Sequence, residues 1–123
     1  MDIRGLVMVC GGLWVAGCNK SALPLPRMGP NEGATPVVVP YPPPPARAEI
    51  IPARPGDLVV WIDGSWVWDR RRWVWQRGRW EAPPTGAHYA LSKIEQMPNG
   101  TLRWFPAGWQ TRNASTNQSQ AKK

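Results

Sequence analysis

Residues 61–80 read WIDGSWVWDRRRWVWQRGRW, which puts six tryptophans and five arginines into twenty positions. A -WVW-x-R-R/G-R- unit occurs twice inside it, over residues 66–72 and 73–79. Each tryptophan carries about 150–250 Å² of surface to bury. Such a density either supplies the core of a very small domain or forms a surface that grips something flat.

Turn chemistry decides how the stretch folds. Residues 58–62 (LVVWI) are β-branched and aromatic, the composition of a strand. Asp63-Gly64 follows, the pair favoured in two-residue type I′ turns. A loop there opposes Ile62 to Ser65, Trp61 to Trp66, Val60 to Val67 and Val59 to Trp68. A second reversal at residues 69–72 opposes Trp68 to Trp73, Val67 to Val74 and Trp66 to Trp75, whether that loop has two residues or four. Side chains alternate along a strand. Both turns therefore place Val59, Trp61, Trp66, Trp68, Trp73 and Trp75 on one face, and Leu58, Val60, Ile62, Val67 and Val74 on the other. The expectation is a three-stranded antiparallel meander, with Trp80 joining the aromatic face if Gly78 hosts a bulge.

Pro83-Pro84 ends this run. A second hairpin is legible in residues 97–101 (MPNGT), with Pro98 and Asn99 central to a type I turn and Gly100 in the left-handed position. That register sets Ile94 against Trp104 and Glu95 against Arg103, and brings Trp104 and Trp109 to the aromatic set. No apolar period of helical type lasts beyond a turn or two, and residues 88–96 are the one ambiguous piece. The fold class is all-β: a small Trp-rich antiparallel meander plus a second hairpin over residues 56–110, flanked by a disordered Pro-rich linker and a polar tail.

Of fifteen prolines, eleven fall within residues 24–55. Runs such as PYPPPP at 40–45 hold φ near the polyproline value and carry few amide donors. Residues 18–55 are expected to form an extended linker outside any packed core, reaching on the order of 100 Å at about 3.1 Å per residue. It reads as a tether or as a proline-rich ligand for a partner domain. Residues 111–123 are polar and read as a disordered tail; within them, 113–115 and 117–119 match the N-glycosylation triplet, to which little weight is given.

Residues 1–17 have the form of a lipoprotein signal peptide. Arg4 supplies a basic start, with Asp2 partly offsetting it, and the apolar run 5–15 is too short to span a bilayer as a helix. It closes on Val15-Ala16-Gly17-Cys18, which resembles the lipobox of bacterial lipoproteins. That resemblance implies lipidation of Cys18, which becomes the first mature residue, and Asn19 after it implies the outer membrane, with the periplasmic or surface face left open. Two or more acyl chains, at about 0.8 kcal/mol per buried methylene, hold a protein in the membrane where one does not. Cys10 leaves with the signal, so the mature chain has no thiol pair for a disulfide.

The formal charge is +7, from fifteen Lys and Arg against eight Asp and Glu. Such a chain can meet nucleic acid, anionic lipid or acidic polysaccharide, and export removes nucleic acid from these. The candidate binding face comprises Trp61, Trp66, Trp68, Trp73 and Trp75 with Arg70, Arg71, Arg72, Arg77 and Arg79. Indole rings stack on sugars, and guanidinium groups pair with carboxylates and phosphates. Peptidoglycan, acidic polysaccharide and lipopolysaccharide all fit. Against this stands a core role: the folded region holds only about ten aliphatic residues, and a domain of some fifty-five residues is marginal, so the tryptophans are needed beneath the second hairpin. Arginine stacked on tryptophan within the protein is a third use.

Catalysis is not expected. His88 is the only histidine, Asp63 is accounted for by its turn, and Asp69 and Glu81 join no nucleophile–base set or metal-ligand spacing. No cofactor and no metal are implied.

Residues 61–66 and 75–80 both read W-x-x-G-x-W, with 104–109 a relaxed echo whose glycine comes one place late. The segment resembles the WxxGxW (also YXWGXW) repeat lipoproteins of Gram-negative envelopes, whose unit runs W-x-W-D-G-x-x-Y-x-W-x-x-G-x-W. Trp66, Trp68, Asp69, Trp73, Trp75, Gly78 and Trp80 occupy matching positions, while Arg70 stands where the unit has its turn glycine. The resemblance implies an envelope lipoprotein and transfers no active site. The function expected is a lipid-anchored, non-catalytic structural or glycan- and anionic-polymer-binding module; the alternative is an accessory subunit that contacts other envelope proteins.

Overall fold

Of the two reversals read from residues 61–80, only the one at residues 69–72 forms. A computed structural model describes residues 22–112; the expected signal peptide and Cys18, within residues 1–21, and residues 113–123 of the expected tail lie outside the described residues. Strands β3 (Val60–Ile62), β4 (Ser65–Asp69), β5 (Arg72–Gln76) and β6 (Arg79–Glu81) belong to one long hairpin. β4 pairs with β5 as Trp66↔Trp75, Val67↔Val74 and Trp68↔Trp73, and β3 pairs with β6 as Trp61↔Trp80 in the continuing register. Asp63-Gly64 is therefore a break in one arm, facing residues 77–78 in the other, and there is no three-stranded meander and no bulge set by Gly78 alone.

Packing explains why the long hairpin wins. It closes three cross-strand tryptophan pairs, Trp61–Trp80, Trp66–Trp75 and Trp68–Trp73, each with ring centroids 5.3 Å apart and an edge-to-face tilt of 67–70°. Pairs of this geometry contribute about 0.5–1.5 kcal/mol each beyond area burial. The meander would strand Trp80.

The second hairpin follows the same plan. Strands β7 (Ala87–Ala90) and β8 (Lys93–Gln96) form one arm, and β9 (Leu102–Phe105) and β10 (Gly108–Thr111) the other. The turn at 97–101 forms as expected: Gly100 has φ +85°, its amide donates to the Met97 carbonyl at 2.8 Å, and Ile94↔Trp104 and Glu95↔Arg103 are partners. The ambiguous stretch 88–96 is strand. Tyr89 opposite Trp109, with ring centroids 5.3 Å apart, takes the place of Trp61 opposite Trp80. Ile94 opposite Trp104 takes that of Trp66 opposite Trp75. Trp61, Trp75, Tyr89 and Trp104 thus head four units of similar length, of which only the first two keep the tryptophan–glycine spacing.

The Pro-rich linker requires a correction. Residues 22–55 are extended, but they lie against the hairpins and do not lead away from them. β1 (Met28–Gly29) adds in parallel to β7, giving the order β1-β7-β10, and β2 (Val37–Val39) adds antiparallel to β9, giving β2-β9-β8. Val39 is 2 % exposed and packs with Trp73 and Trp104, flanked by Trp66, Trp68, Ile94 and Leu102. Prolines remove donors and not acceptors, so an extended proline segment still offers carbonyls to any neighbour with N–H groups to satisfy. The Trp61 amide donates to the Pro24 carbonyl and the Tyr89 amide to the Arg27 carbonyl, both at 2.8 Å. At the other border the fold also runs slightly past the expected limit, since β10 includes Thr111. The described residues contain no helix.

Candidate functional site

The two glycines of the W-x-x-G-x-W units sit where the hairpin arms break. A side chain on Gly64 would have its Cβ 2.5 Å from the Trp75 ring and 2.7 Å from Glu49 Oε2; on Gly78 it would run into the Trp61 ring. The first tryptophan of each unit therefore lies over the glycine of the other. The two tryptophans of a unit are five positions apart, which on an unbroken strand would send them to opposite faces. The paired break turns the ribbon, so that Trp66, Trp73, Trp75 and Trp80 all meet the same neighbouring segment.

That neighbour is residues 41–52 of the proline-rich segment. Trp73 Nε1 donates to the Tyr41 carbonyl at 3.1 Å, Trp66 Nε1 to the Pro45 carbonyl at 3.0 Å, and Trp80 Nε1 to the Pro52 carbonyl at 2.9 Å. Trp75 Nε1 donates to Glu49 Oε1 at 3.0 Å, and the Gly78 amide to Glu49 Oε2 at 2.8 Å. Tyr41 packs edge-on against Trp68 at 5.6 Å, and the Arg47 guanidinium lies 4.7 Å from the centre of the Trp66 ring. Aromatic grooves take polyproline ligands in this manner, through indole donors and ring faces. Here ligand and groove belong to one chain, and the segment forms a strap over the tryptophan ladder.

Glu49 acts as the latch of this strap. The Trp75 indole, and after it the Gly78 amide, hold its carboxyl below the ordinary glutamate range, while burial opposes them. A depressed native value means that the stabilisation is present above the unfolded glutamate value, about 4.3, and is lost as pH falls through the native one. Acidification through that window is expected to loosen the strap, read as a change in tryptophan emission. In Glu49→Gln the emission stays flat there; a variant that reproduces the wild-type curve excludes the carboxylate as the latch.

The arginines divide. Arg70, Arg71 and Arg72 form the exposed tip of the first hairpin, and Arg77 is exposed at the break; among the described residues none of the four makes an ion pair. Arg70 has φ +46°, a left-handed conformation that costs a non-glycine residue roughly 1–2 kcal/mol. It completes a two-residue turn despite the missing glycine. Arg79 pairs with Glu81 at 2.7 Å, and Glu81 also accepts the Trp109 indole N–H at 3.0 Å. Arg79 is thus tied down.

Of the candidate face, the structure gathers Trp66, Trp68, Trp73 and Trp75 beneath the strap, with Trp80 joining them. Trp61 is buried and donates its indole to Asp63 at 2.7 Å. Trp104 joins the ladder through Trp73, with centroids 5.5 Å apart, whereas Trp109 packs on Tyr89. His88 lies in β7 with Nε2 2.9 Å from the Pro30 carbonyl. Sequence reasoning missed Tyr41, Arg47 and Glu49. The signal that points to them is the coexistence of a polyproline segment and a tryptophan-rich strand pair in one chain.

No curated protein and no solved structure matches the chain. A family model does match: the WXXGXW repeat, in two copies over residues 59–81. These residues cover both arms of the first hairpin, where each copy's tryptophan covers the other copy's glycine. The chain thus contains two copies of the WXXGXW repeat, and together they make one hairpin.

Proposed function

We propose that the chain is a lipid-anchored, non-catalytic protein of the cell envelope, held at the outer membrane through acylated Cys18, and that its arginine-rich hairpin tip contacts anionic envelope polymers. The observation that carries the reading is the division of labour in the first hairpin. Four ladder indoles donate inward to the strap, while Arg70, Arg71 and Arg72 stand exposed together. The tryptophans serve the fold. The guanidinium groups are left for carboxylates and phosphates of peptidoglycan, acidic polysaccharide or lipopolysaccharide.

Two measurements test it. Cys18→Ser is expected to move the protein from the membrane to the soluble fraction; continued membrane association refutes the anchor. In pull-downs on purified peptidoglycan and lipopolysaccharide, the triple change of Arg70, Arg71 and Arg72 to alanine is expected to abolish retention, and raised salt to weaken wild-type retention by screening. Retention equal to wild type in the triple variant sinks the arginine reading. A second reading, an accessory subunit that contacts envelope proteins, is favoured by Ile50 and Leu58, which are almost wholly exposed.

A further inference from the structure

The strap changes where the module sits relative to its anchor. Because residues 22–55 fold back onto the hairpins, they do not hold the module away from Cys18. Cys18 and Ala22, the first described residue, are four positions apart, a span of at most about 14 Å when fully extended. The side chains nearest that start are apolar and exposed. Leu25 is 60 % exposed, Met28 48 % and, beside them on the second hairpin, Leu91 62 %. Together with Trp61, Ile62 and Tyr89 they line a groove of about 240 Å³. Asp63 also lines this groove, but its carboxylate accepts the Trp61 indole at 2.7 Å. Met28 is shared with an adjoining cavity of about 280 Å³ lined by Arg27, His88 and Arg112 and also by Glu32. Apolar side chains backed by guanidinium groups are the composition of a surface that rests in the acyl–headgroup boundary of an anionic bilayer.

We propose that this end of the module, formed by Leu25, Met28 and Leu91 with Arg27 and Arg112 beside them, lies on the phospholipid surface that carries the anchor. The inference rests on the reading of Cys18 as acylated. The orientation follows from the hydrogen bond between the Trp61 amide and the Pro24 carbonyl, which fixes the open end of the first hairpin at the membrane side. The arms run eight residues from Trp61 to Asp69, so the arginine tip stands up to about 25 Å farther out. The protein is then a short post and not a long leash.

The test uses the full-length protein with single cysteines, because acylation leaves Cys18 without a free thiol and Cys10 is lost with the signal. Leu25→Cys, Leu91→Cys and, at the tip, Arg71→Cys are expressed in cells, and the washed, sonicated membrane fraction is treated with a charged, membrane-impermeant maleimide. The Arg71→Cys thiol is expected to label freely. Labelling at the Leu25→Cys and Leu91→Cys thiols is expected to be roughly tenfold slower, since a thiol in the acyl boundary forms little thiolate. In the soluble Cys18→Ser background all three sites should label alike. Equal labelling in the membrane-bound form overturns the proposal while leaving the anchor standing. Protection that persists in the soluble form also overturns it, by assigning the groove to protein. Absence of the chain from the membrane fraction refutes the anchor itself.

Discussion

Replacing Trp73 by alanine is expected to destabilise the module by about 3–5 kcal/mol, the usual cost of removing a buried tryptophan. Trp73 is 8 % exposed. It is the point where three parts of the fold meet. Its ring packs edge-to-face on Trp68 within the first hairpin and at 90° on Trp104 of the second. Its indole N–H donates to the Tyr41 carbonyl of the strap, and Val39 of β2 closes the cluster. Small domains sit at the low end of the 5–15 kcal/mol range of native stability, so the loss takes most of what is available. Urea unfolding followed by near-ultraviolet circular dichroism measures it. Trp73→Phe keeps the aromatic packing and gives up the indole donor, at about 1 kcal/mol. If Trp73→Ala costs no more than Trp73→Phe, the cluster is not the junction described here.

A larger disturbance for its size is expected from adding methyl groups at the two repeat glycines. Gly→Ala at an unstrained position ordinarily stabilises by about 0.4–1 kcal/mol, because it restricts the unfolded chain. At Gly64 and Gly78 the sign should reverse. The new Cβ meets the Trp75 ring and the Glu49 carboxylate in the first case and the Trp61 ring in the second. Crowding of this kind costs about 1–3 kcal/mol, and Gly64→Val or Gly78→Val should cost more than alanine. Both glycines abut the same carboxylate and the same ribbon twist, so the double variant should lose less than the sum of the singles. Gly56→Ala is the control, since nothing lies within 4 Å of its added methyl. Chemical denaturation of these variants decides the matter: stabilisation at Gly64 or Gly78 to the extent seen at Gly56 removes the reciprocal packing as the reason for the motif.

Much of the local structure was legible. The all-β class, the reversal at 69–72, the turn at 97–101 and the partners Trp66–Trp75, Trp68–Trp73, Ile94–Trp104 and Glu95–Arg103 all follow from turn residues and strand alternation, and all are present. The error at Asp63-Gly64 has a clear origin. The pair satisfies a type I′ turn by itself, but Gly64 is required beneath the Trp75 ring, a contact across the hairpin that no local rule contains. Of the candidate face, Trp66, Trp68, Trp73 and Trp75 lie together and Trp61 lies apart from them, and the strap over the four was not foreseen. Prolines were read as excluding residues 18–55 from packing because they lack donors. In the folded protein that segment supplies the acceptors that four indole donors need.

Sequence by itself thus determined where strands run, where two of the reversals fall and which tryptophans oppose each other, because side-chain alternation and turn propensity act over a few residues. Only the tertiary structure decided that two W-x-x-G-x-W copies complete one another and that the ladder is closed by the proline strap. It alone decided, too, that the arginines of the tip remain outside. Those outcomes depend on ring-to-glycine contacts and on indole hydrogen bonds to carbonyls and one carboxylate, between residues eleven to thirty-two positions apart. Such contacts take on their value only once the hairpin that presents the rings has formed.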